Sequence, residues 1–220
     1  MRLTGADVVE FLDALVDTAA ANQRELDELD AVAADGDHGG TFLLGWRTVA
    51  AGIDRSSDRT PTAVLVKAAA DFASVGGSIG PLWGTALLRA GRTLDGAETI
   101  TATLLAEAVR AGVGGVADRG GAQVGDKTML DVLAPAADAL SAAIADGREA
   151  KAVREALEAA RTGLLRTAQL PAQRGRARRL SDRSIGHLDP GAASSYLVWA
   201  TAAACADPAV TITLPEGAAG

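Results

Sequence analysis

Three aspartates are spaced so that they could hold a cation between two helical stretches. They are Asp30, Asp35 and Asp37, within the segment Asp27-Glu-Leu-Asp30-Ala-Val-Ala-Ala-Asp35-Gly-Asp37-His38-Gly39-Gly40. Asp35 and Asp37 flank a glycine, so the backbone can bend and aim both carboxylates at one point, and a turn can bring Asp30 to the same place. Hard oxygen donors suit Mg²⁺ or Ca²⁺ rather than zinc. His38-Gly39-Gly40-Thr41 then leads into an apolar-periodic segment from Phe42. That is the pattern of a helix N-terminus, whose N–H groups and dipole favour an anion. Carboxylates beside such a terminus suggest a cation together with phosphate, since Mg²⁺ is usually held by a few carboxylates plus phosphate oxygens. Taken alone, the stretch also reads as an Asp-rich turn that caps a helix, because Asp and Gly are ordinary turn residues.

Further candidates lie downstream. Gly76-Gly77-Ser78-Ile79-Gly80 could offer backbone N–H groups and a hydroxyl to phosphate, although a glycine cluster between helices is more commonly a tight turn. Gly125-Asp126-Lys127-Thr128-Met129 shares residues with a phosphate-loop signature. It lacks the upstream glycine spacing and a preceding strand, so that reading is rejected and Asp126 is expected to cap the following helix. Arg174, Arg176, Arg178, Arg179 and Arg183 form a basic cluster in an acidic chain. They form either a solvated loop or a site for phosphate or an acidic partner. His187 precedes Asp189-Pro190-Gly191, a turn by composition.

The elements that must position these residues are helical. The chain has 220 residues, 48% hydrophobic but only 3% aromatic, so Ala and Leu carry the packing. Thr4 with Asp7 marks a first helix carrying Val8, Leu12, Leu15 and Ala19. Further helices are expected from about Thr41 to Ile53, from Thr60-Pro61 towards Val75, and over Leu82–Leu94, Thr101–Ala117, Lys127–Ala145, Glu149–Gln169 and Ala192–Ala206. The segment from Asp54 to Asp58 reads as a polar break. Val210–Leu214 alternates like a strand but is too isolated to build a sheet. Helices joined by short Gly-rich breaks indicate an all-α, single-domain bundle or barrel. In an up-and-down arrangement alternate breaks fall at one end and could line one mouth. The tail from Asp207 is expected to be disordered or on the surface. A net charge of −7 argues against nucleic-acid and anionic-membrane binding. No apolar run is long enough to span a membrane, and the first residues do not resemble a secretory signal. The expected setting is cytoplasmic. Cys205, the single cysteine, excludes an internal disulfide and reads as buried packing.

Four motifs in order carry a resemblance. They are Leu29-Asp30-x4-Asp35-Gly-Asp37-His38-Gly39, Gly76-Gly77-x-x-Gly80-Pro81-Leu82-x-Gly84-Thr85, Gly125-Asp126-Lys127-Thr128-Met129-x-Asp131, and Gly175-Arg176-Ala177-x5-Arg183-Ser184-Ile185-Gly186-His187-x-Asp189-Pro190-Gly191. From about residue 3 to residue 206 the chain resembles the nucleotide-binding L subunit of dihydroxyacetone kinase, with residues 207–220 as a tail. The resemblance implies an eight-helix antiparallel up-and-down barrel with ADP or ATP at one mouth. It implies Mg²⁺, two ions in this family, held by Asp30, Asp35 and Asp37 through the phosphates. It carries nucleotide contacts to His38, Gly39, Gly40, Thr41, Ser78, Ile79, Gly120, Met129, Arg176, Asp189, Pro190 and Gly191. It also implies phosphoryl transfer to dihydroxyacetone, or a related short ketose such as erythrulose, held on a separate K subunit. A phosphocarrier M subunit could recharge bound ADP, and self-association as a homodimer is left open.

Three departures stand out. The family usually has Ala-Ser-Gly where this chain has Ser78-Ile79-Gly80, so Ile79 is expected to offer only its backbone amide. Thr41 stands where Asn is frequent. Arg179-Leu180-Ser181-Asp182 replaces an aromatic-Leu-Gly-Glu run before Arg183. Two other functional classes are compatible with the sequence: a nucleotide-bound regulatory module docking onto a transcription factor or phosphocarrier, and a helical scaffold with a structural Ca²⁺ site.

Overall fold

The structure, a computed structural model, describes residues 1–53 and 59–215, and the side chains of Arg176, Arg179, Leu180 and Ser181 lie outside the description. The expected polar break at residues 54–58 therefore falls outside the described residues. Eight α-helices account for most of the rest: α1 (Gly5–Ala31), α2 (His38–Gly52), α3 (Pro61–Ala73), α4 (Ile79–Thr93), α5 (Ala102–Gly120), α6 (Leu130–Ala145), α7 (Glu149–Thr167) and α8 (Pro190–Ala206). Each helix packs on its neighbours in sequence, and α8 returns to pack on α1. Eight amphipathic helices with short links thus close an antiparallel up-and-down barrel, burying each apolar stripe against two neighbours. No helix among the described residues is long and apolar enough to cross a membrane.

Local chemistry starts the helices where the sequence indicates. Thr4 and Asp7 form a reciprocal capping box, with Thr4 N–H donating to Asp7 Oδ2 at 2.6 Å and Asp7 N–H to Thr4 Oγ1 at 3.3 Å. The Thr4 hydroxyl also donates to Asp7 Oδ2, at 2.6 Å, and together with the Thr4 amide it holds the Asp7 carboxyl below its usual range. Thr60 accepts from Ala63 N–H ahead of Pro61. The ends differ more. Helix α1 runs on to Ala31, about 40 Å in all, so Asp30 lies in its last turn rather than in a loop. Helix α4 begins at Ile79, with Pro81 inside its first turn. Helix α5 continues to Gly120 and is stopped by Gly121 in the left-handed conformation, φ +57°. Helix α6 starts only at Leu130, because Lys127 takes a positive φ of 61°.

The core is uneven. Phe42, Trp46, Phe72 and Trp83 from α2, α3 and α4 pack edge-to-face, Trp46 lying 4.8 Å from Phe72 and 5.7 Å from Trp83 between ring centroids. On the opposite side buried alanines dominate, among them Ala136, Ala156, Ala160 and Ala193, so helices α6 to α8 approach closely. Pro135 has no N–H to return to the Asp131 carbonyl. Gly163 of α7 lies against that oxygen so closely that a Cβ there would overlap it.

Several expectations are corrected. A two-residue pairing, β1 (Arg2–Leu3) with β2 (Ile100–Thr101), joins the chain start to the head of α5, and Thr101 caps that helix through Leu104 N–H. Val210–Leu214 is not a strand. It lays Val210, Ile212 and Leu214 on the core as a strap, which explains the alternation without a sheet. Cys205 is exposed, not buried. Ala200 and Ala203 carry the inward face of α8 at that level, and two residues beyond Ala203 the helix has turned about 200° away.

Gly163→Ala should destabilise the protein by about 1–3 kcal/mol despite alanine's better helix propensity, because α6 and α7 must separate. Gly114→Ala, with open space around it, should stabilise by up to about 1 kcal/mol. Denaturant unfolding of the two variants checks the contrast.

Candidate functional site

The links α1–α2, α3–α4, α5–α6 and α7–α8 lie at the same end of the barrel and surround a cavity of about 520 Å³. Helices α2, α4, α6 and α8 all begin there. Alternation of direction therefore aims four positive helix ends at one volume.

The carboxylates gather at its edge. Asp30, Asp35 and Asp37 each place an oxygen within 4.8 Å of the others'. Asp30 is half-buried, and its Oδ2 accepts from Gly36 N–H at 2.9 Å and Asp37 N–H at 3.2 Å. Gly36, at φ +74°, makes the bend that allows this. Burial pushes the Asp30 carboxyl above its ordinary range, and the charges of Asp35 and Asp37 add to the shift, outweighing the two amide hydrogen bonds. Like charges held this close are costly unless a cation joins them. Hard oxygen donors at this spacing fit Mg²⁺ or Ca²⁺.

His38 opens α2 at the cavity wall, with Nε2 2.9 Å from Ser194 Oγ on α8. Burial pushes its pKa down to about 4, against the pull of Asp27 and Asp37, so the ring is neutral near pH 7. The next three expected contacts lie outside the cavity lining. Gly39 packs against the Gln23 carbonyl of α1, where a Cβ would overlap it. Gly40 N–H donates to Asp27 Oδ1 at 3.1 Å. Thr41 N–H closes the first helical hydrogen bond to Asp37 O at 2.9 Å. The Asp37 side chain makes no capping hydrogen bond to α2; the Asp27 carboxylate of α1 takes the Gly40 amide of that first turn instead.

Ser78, Ile79, Gly120, Met129, Asp189, Pro190 and Gly191 all line the cavity. The Ile79 side chain is part of the core, so only its backbone faces the site chemically. Asp189-Pro190-Gly191 is not a free turn. Asp189 caps α8 through Ala192 N–H at 2.8 Å, and Pro190 takes the first helical position, the same signature that marked Thr60-Pro61. Burial raises the Asp189 carboxyl to about 7, and Lys127 offsets only part of this. The Arg176 side chain lies outside the described residues, within a 3₁₀ segment over Arg176–Ser184.

Lys127 and Asp131 are the residues whose roles sequence reasoning missed. The Lys127 ammonium is buried and donates to three carbonyls: Thr167 at 2.6 Å, Ser184 at 2.8 Å and His187 at 2.7 Å. It pins the α7–α8 link to the α5–α6 link. Desolvation lowers its pKa, partly offset by Asp189 and Asp131. Asp131, not Asp126, organises the start of α6, accepting from Thr128 N–H at 2.7 Å and Gly125 N–H at 2.6 Å. Asp126 instead accepts from Gln123 N–H and from Arg174 Nε at 3.2 Å. The spacing Thr128-x-x-Asp131 is a capping signal that could have revealed the role of Asp131. Nothing local reveals the role of Lys127, because its partners lie 40 to 60 residues away.

Lys127→Met should cost about 3 kcal/mol, since three buried carbonyls lose a charged donor. Hydrogen exchange should accelerate across residues 168–189 while α1 to α6 stay protected; unchanged exchange there would remove the latch. The Asp189 carboxyl also has a signature. Below about pH 4 it is protonated folded or unfolded. Between about 4 and 7 the unfolded chain ionises first, so this group makes stability fall as pH rises. Asp189→Asn, which keeps a capping oxygen, should flatten that part of the pH–stability curve.

The sequence matches the family described as the DAK2 domain over residues 32–204. It is 38% identical over 196 residues to the L-erythrulose 1-kinase of Mycolicibacterium smegmatis, covering 88% of this chain and 34% of that protein. It is 38% identical over 179 residues to the PEP-dependent dihydroxyacetone kinase 1, ADP-binding subunit DhaL, of Listeria innocua, covering 81% of this chain and 85% of that subunit. Among solved structures, the dihydroxyacetone kinase of C. freundii in complex with AMP-PNP and Mg²⁺ superposes with a TM-score of 0.69 at 26% identity, over 92% of this chain and 34% of that one. The chain thus spans about a third of the length of the erythrulose and C. freundii kinases and most of the Listeria subunit. With the closed eight-helix barrel and the clustered mouth motifs, these matches establish that the chain belongs to the DAK2 domain family.

Proposed function

We propose that this chain is the ADP- or ATP-binding subunit of a dihydroxyacetone-type kinase, with residues 3–206 forming the nucleotide-binding domain and 207–220 a tail. The observation that carries the reading is the convergence at one mouth of four helix N-termini and the Asp30–Asp35–Asp37 cluster. A nucleotide diphosphate or triphosphate with Mg²⁺ presents the complementary charges. The relatives described as ADP-binding subunits and the solved kinase with AMP-PNP and Mg²⁺ support the same ligand.

Asp30, Asp35 and Asp37 would hold the Mg²⁺, which supplies neutralisation of phosphate charge during transfer. The starts of α2, α4, α6 and α8, through His38 with Gly39, Gly40 and Thr41, Ser78 and Ile79, Met129, and Asp189 to Gly191, would bind and orient the nucleotide. Gly120 would complete the wall, and Arg176 would reach in from the α7–α8 link. Phosphoryl transfer needs alignment and charge stabilisation more than covalent chemistry, and no side chain here is assigned a covalent role. The acceptor is a short ketose, dihydroxyacetone or erythrulose, carried by a K subunit. The Listeria, Escherichia coli and Lactococcus relatives are described as PEP- or PTS-dependent ADP-binding subunits, which supports bound ADP recharged by a phosphocarrier.

The experiment is to denature the purified protein and measure released nucleotide and Mg²⁺. Stoichiometric ADP is expected; protein that arrives empty and binds neither ADP nor ATP with Mg²⁺ sinks the proposal. Asp30→Asn gives a sharper test. Relief of like-charge crowding should leave the ligand-free protein as stable as the parent or more so. The same change should weaken Mg-ADP binding by more than about a hundredfold, as expected for a direct metal ligand, in calorimetric titration.

A further inference from the structure

Helices α1, α3, α5 and α8 start alike. In each, the residue before the helix turns its own side-chain oxygen onto the amide three positions on. Helix α2 starts differently. Asp37 stands at that position, and aspartate is among the best residues for it. Yet its carboxylate makes no such bond, and one of its oxygens lies within 4.8 Å of oxygens of Asp30 and Asp35. The amide that Asp37 would ordinarily take is that of Gly40. It donates instead to Asp27 Oδ1 at 3.1 Å, 13 residues back in α1. The packing of α1 on α2 makes this reach possible. Gly39 lies so close to α1 that a Cβ would sit 2.1 Å from the Gln23 carbonyl oxygen and 3.0 Å from Asp27 Oδ1. Any side chain there would push the start of α2 off the carboxylate.

Asp27 and Asp30 are one turn apart, on one face of α1. Together they hold the backbone from Gly36 to Gly40. Asp30 Oδ2 takes the Gly36 and Asp37 amides, and Asp27 Oδ1 takes that of Gly40. The end of α1 is thus a template for the link that follows it. We propose that Asp27 is a positioning residue: it caps α2 from the neighbouring helix in place of Asp37, and so keeps the Asp37 carboxylate in the cluster with Asp30 and Asp35. A carboxylate turned back to cap its own helix would be held over the first turn of α2, away from its two partners. Asp27 acts through Asp37 and is not itself a ligand of the cation. The cap stands on this structure alone; its effect on the cation rests on the nucleotide reading.

Asparagine caps a helix about as well as aspartate but carries no charge, which separates a capping oxygen from a metal ligand. In ligand-free protein with EDTA, amide exchange is followed residue by residue by NMR. Gly40 should exchange at least about tenfold faster in Asp27→Ala, which removes a charge-assisted hydrogen bond. It should stay near the parent rate in Asp27→Asn and in Asp37→Ala. Mg-ADP binding in calorimetric titration should weaken by about tenfold in Asp27→Ala, the size of an outer-shell partner's loss. In Asp27→Asn it should weaken by less than about threefold, far less than in Asp30→Asn. Release of the Gly40 amide in Asp37→Ala overturns the proposal. So does an Asp27→Asn loss as large as that of Asp30→Asn, which would make Asp27 a ligand. Neither result needs Asp27→Ala to fold. A folded Asp27→Ala that binds Mg-ADP as tightly as the parent leaves Asp27 a structural cap only and rejects the positioning role. The expected Gly40 pattern in a parent that binds no Mg-ADP upholds the cap and rejects the nucleotide reading instead.

Discussion

An antiparallel ring of eight helices obeys one constraint: every second connection must fall at the same end. Once α8 packs on α1 and closes the barrel, four helices necessarily start at one mouth and four at the other. The start of an α-helix carries partial positive charge and unpaired amides. The mouth at α2, α4, α6 and α8 is thus electropositive in its backbone even though the chain's net charge is −7. That polarity comes from topology and not from a basic surface.

Against that field the chain places acids. Asp30, Asp35 and Asp37 crowd the rim, and Asp189 sits deep enough for burial to raise its carboxyl to about 7. Without ligand this is unfavourable, since burial and mutual repulsion both oppose ionisation. Functional sites characteristically retain such unfavourable features while the surrounding scaffold supplies the stability. Here the scaffold comprises the aromatic group of α2 to α4, the close-packed alanines of α6 to α8, and the Lys127 ammonium, which binds the link most in need of fixing. Among the described residues the buried Lys127 ammonium donates to three carbonyls, one for each of its N–H groups.

The helices were legible because 3.6-residue periodicity and cap chemistry are local. Thr4 with Asp7 and Thr60 with Pro61 act within a few residues of themselves, and the structure uses them as written. The errors share a physical origin. The sequence places the Asp-rich stretch between two helices, yet α1 continues to Ala31 and uses Asp30 in its last turn. The alanine-rich setting of Cys205 suits a core position, but its angular position on α8 points it outward. Val210–Leu214 alternates because one side of an extended strap meets the barrel, which the same pattern cannot distinguish from a strand.

For the site, the sequence by itself determined the chemistry: hard carboxylate donors at Asp30, Asp35 and Asp37, glycines that permit tight bends, and helix starts beside them. Residue type and short spacing fix these properties before any folding. The tertiary structure alone decided which groups meet. It brought the starts of α2 and α8 together so that His38 reaches Ser194, 156 residues away. It turned Lys127 inward onto carbonyls and took Gly39 out of the cavity as a contact between helices. Those outcomes depend on ring closure and on how near one helix approaches the next. Such distances are set by packing over the whole chain and leave no trace in a short stretch of sequence.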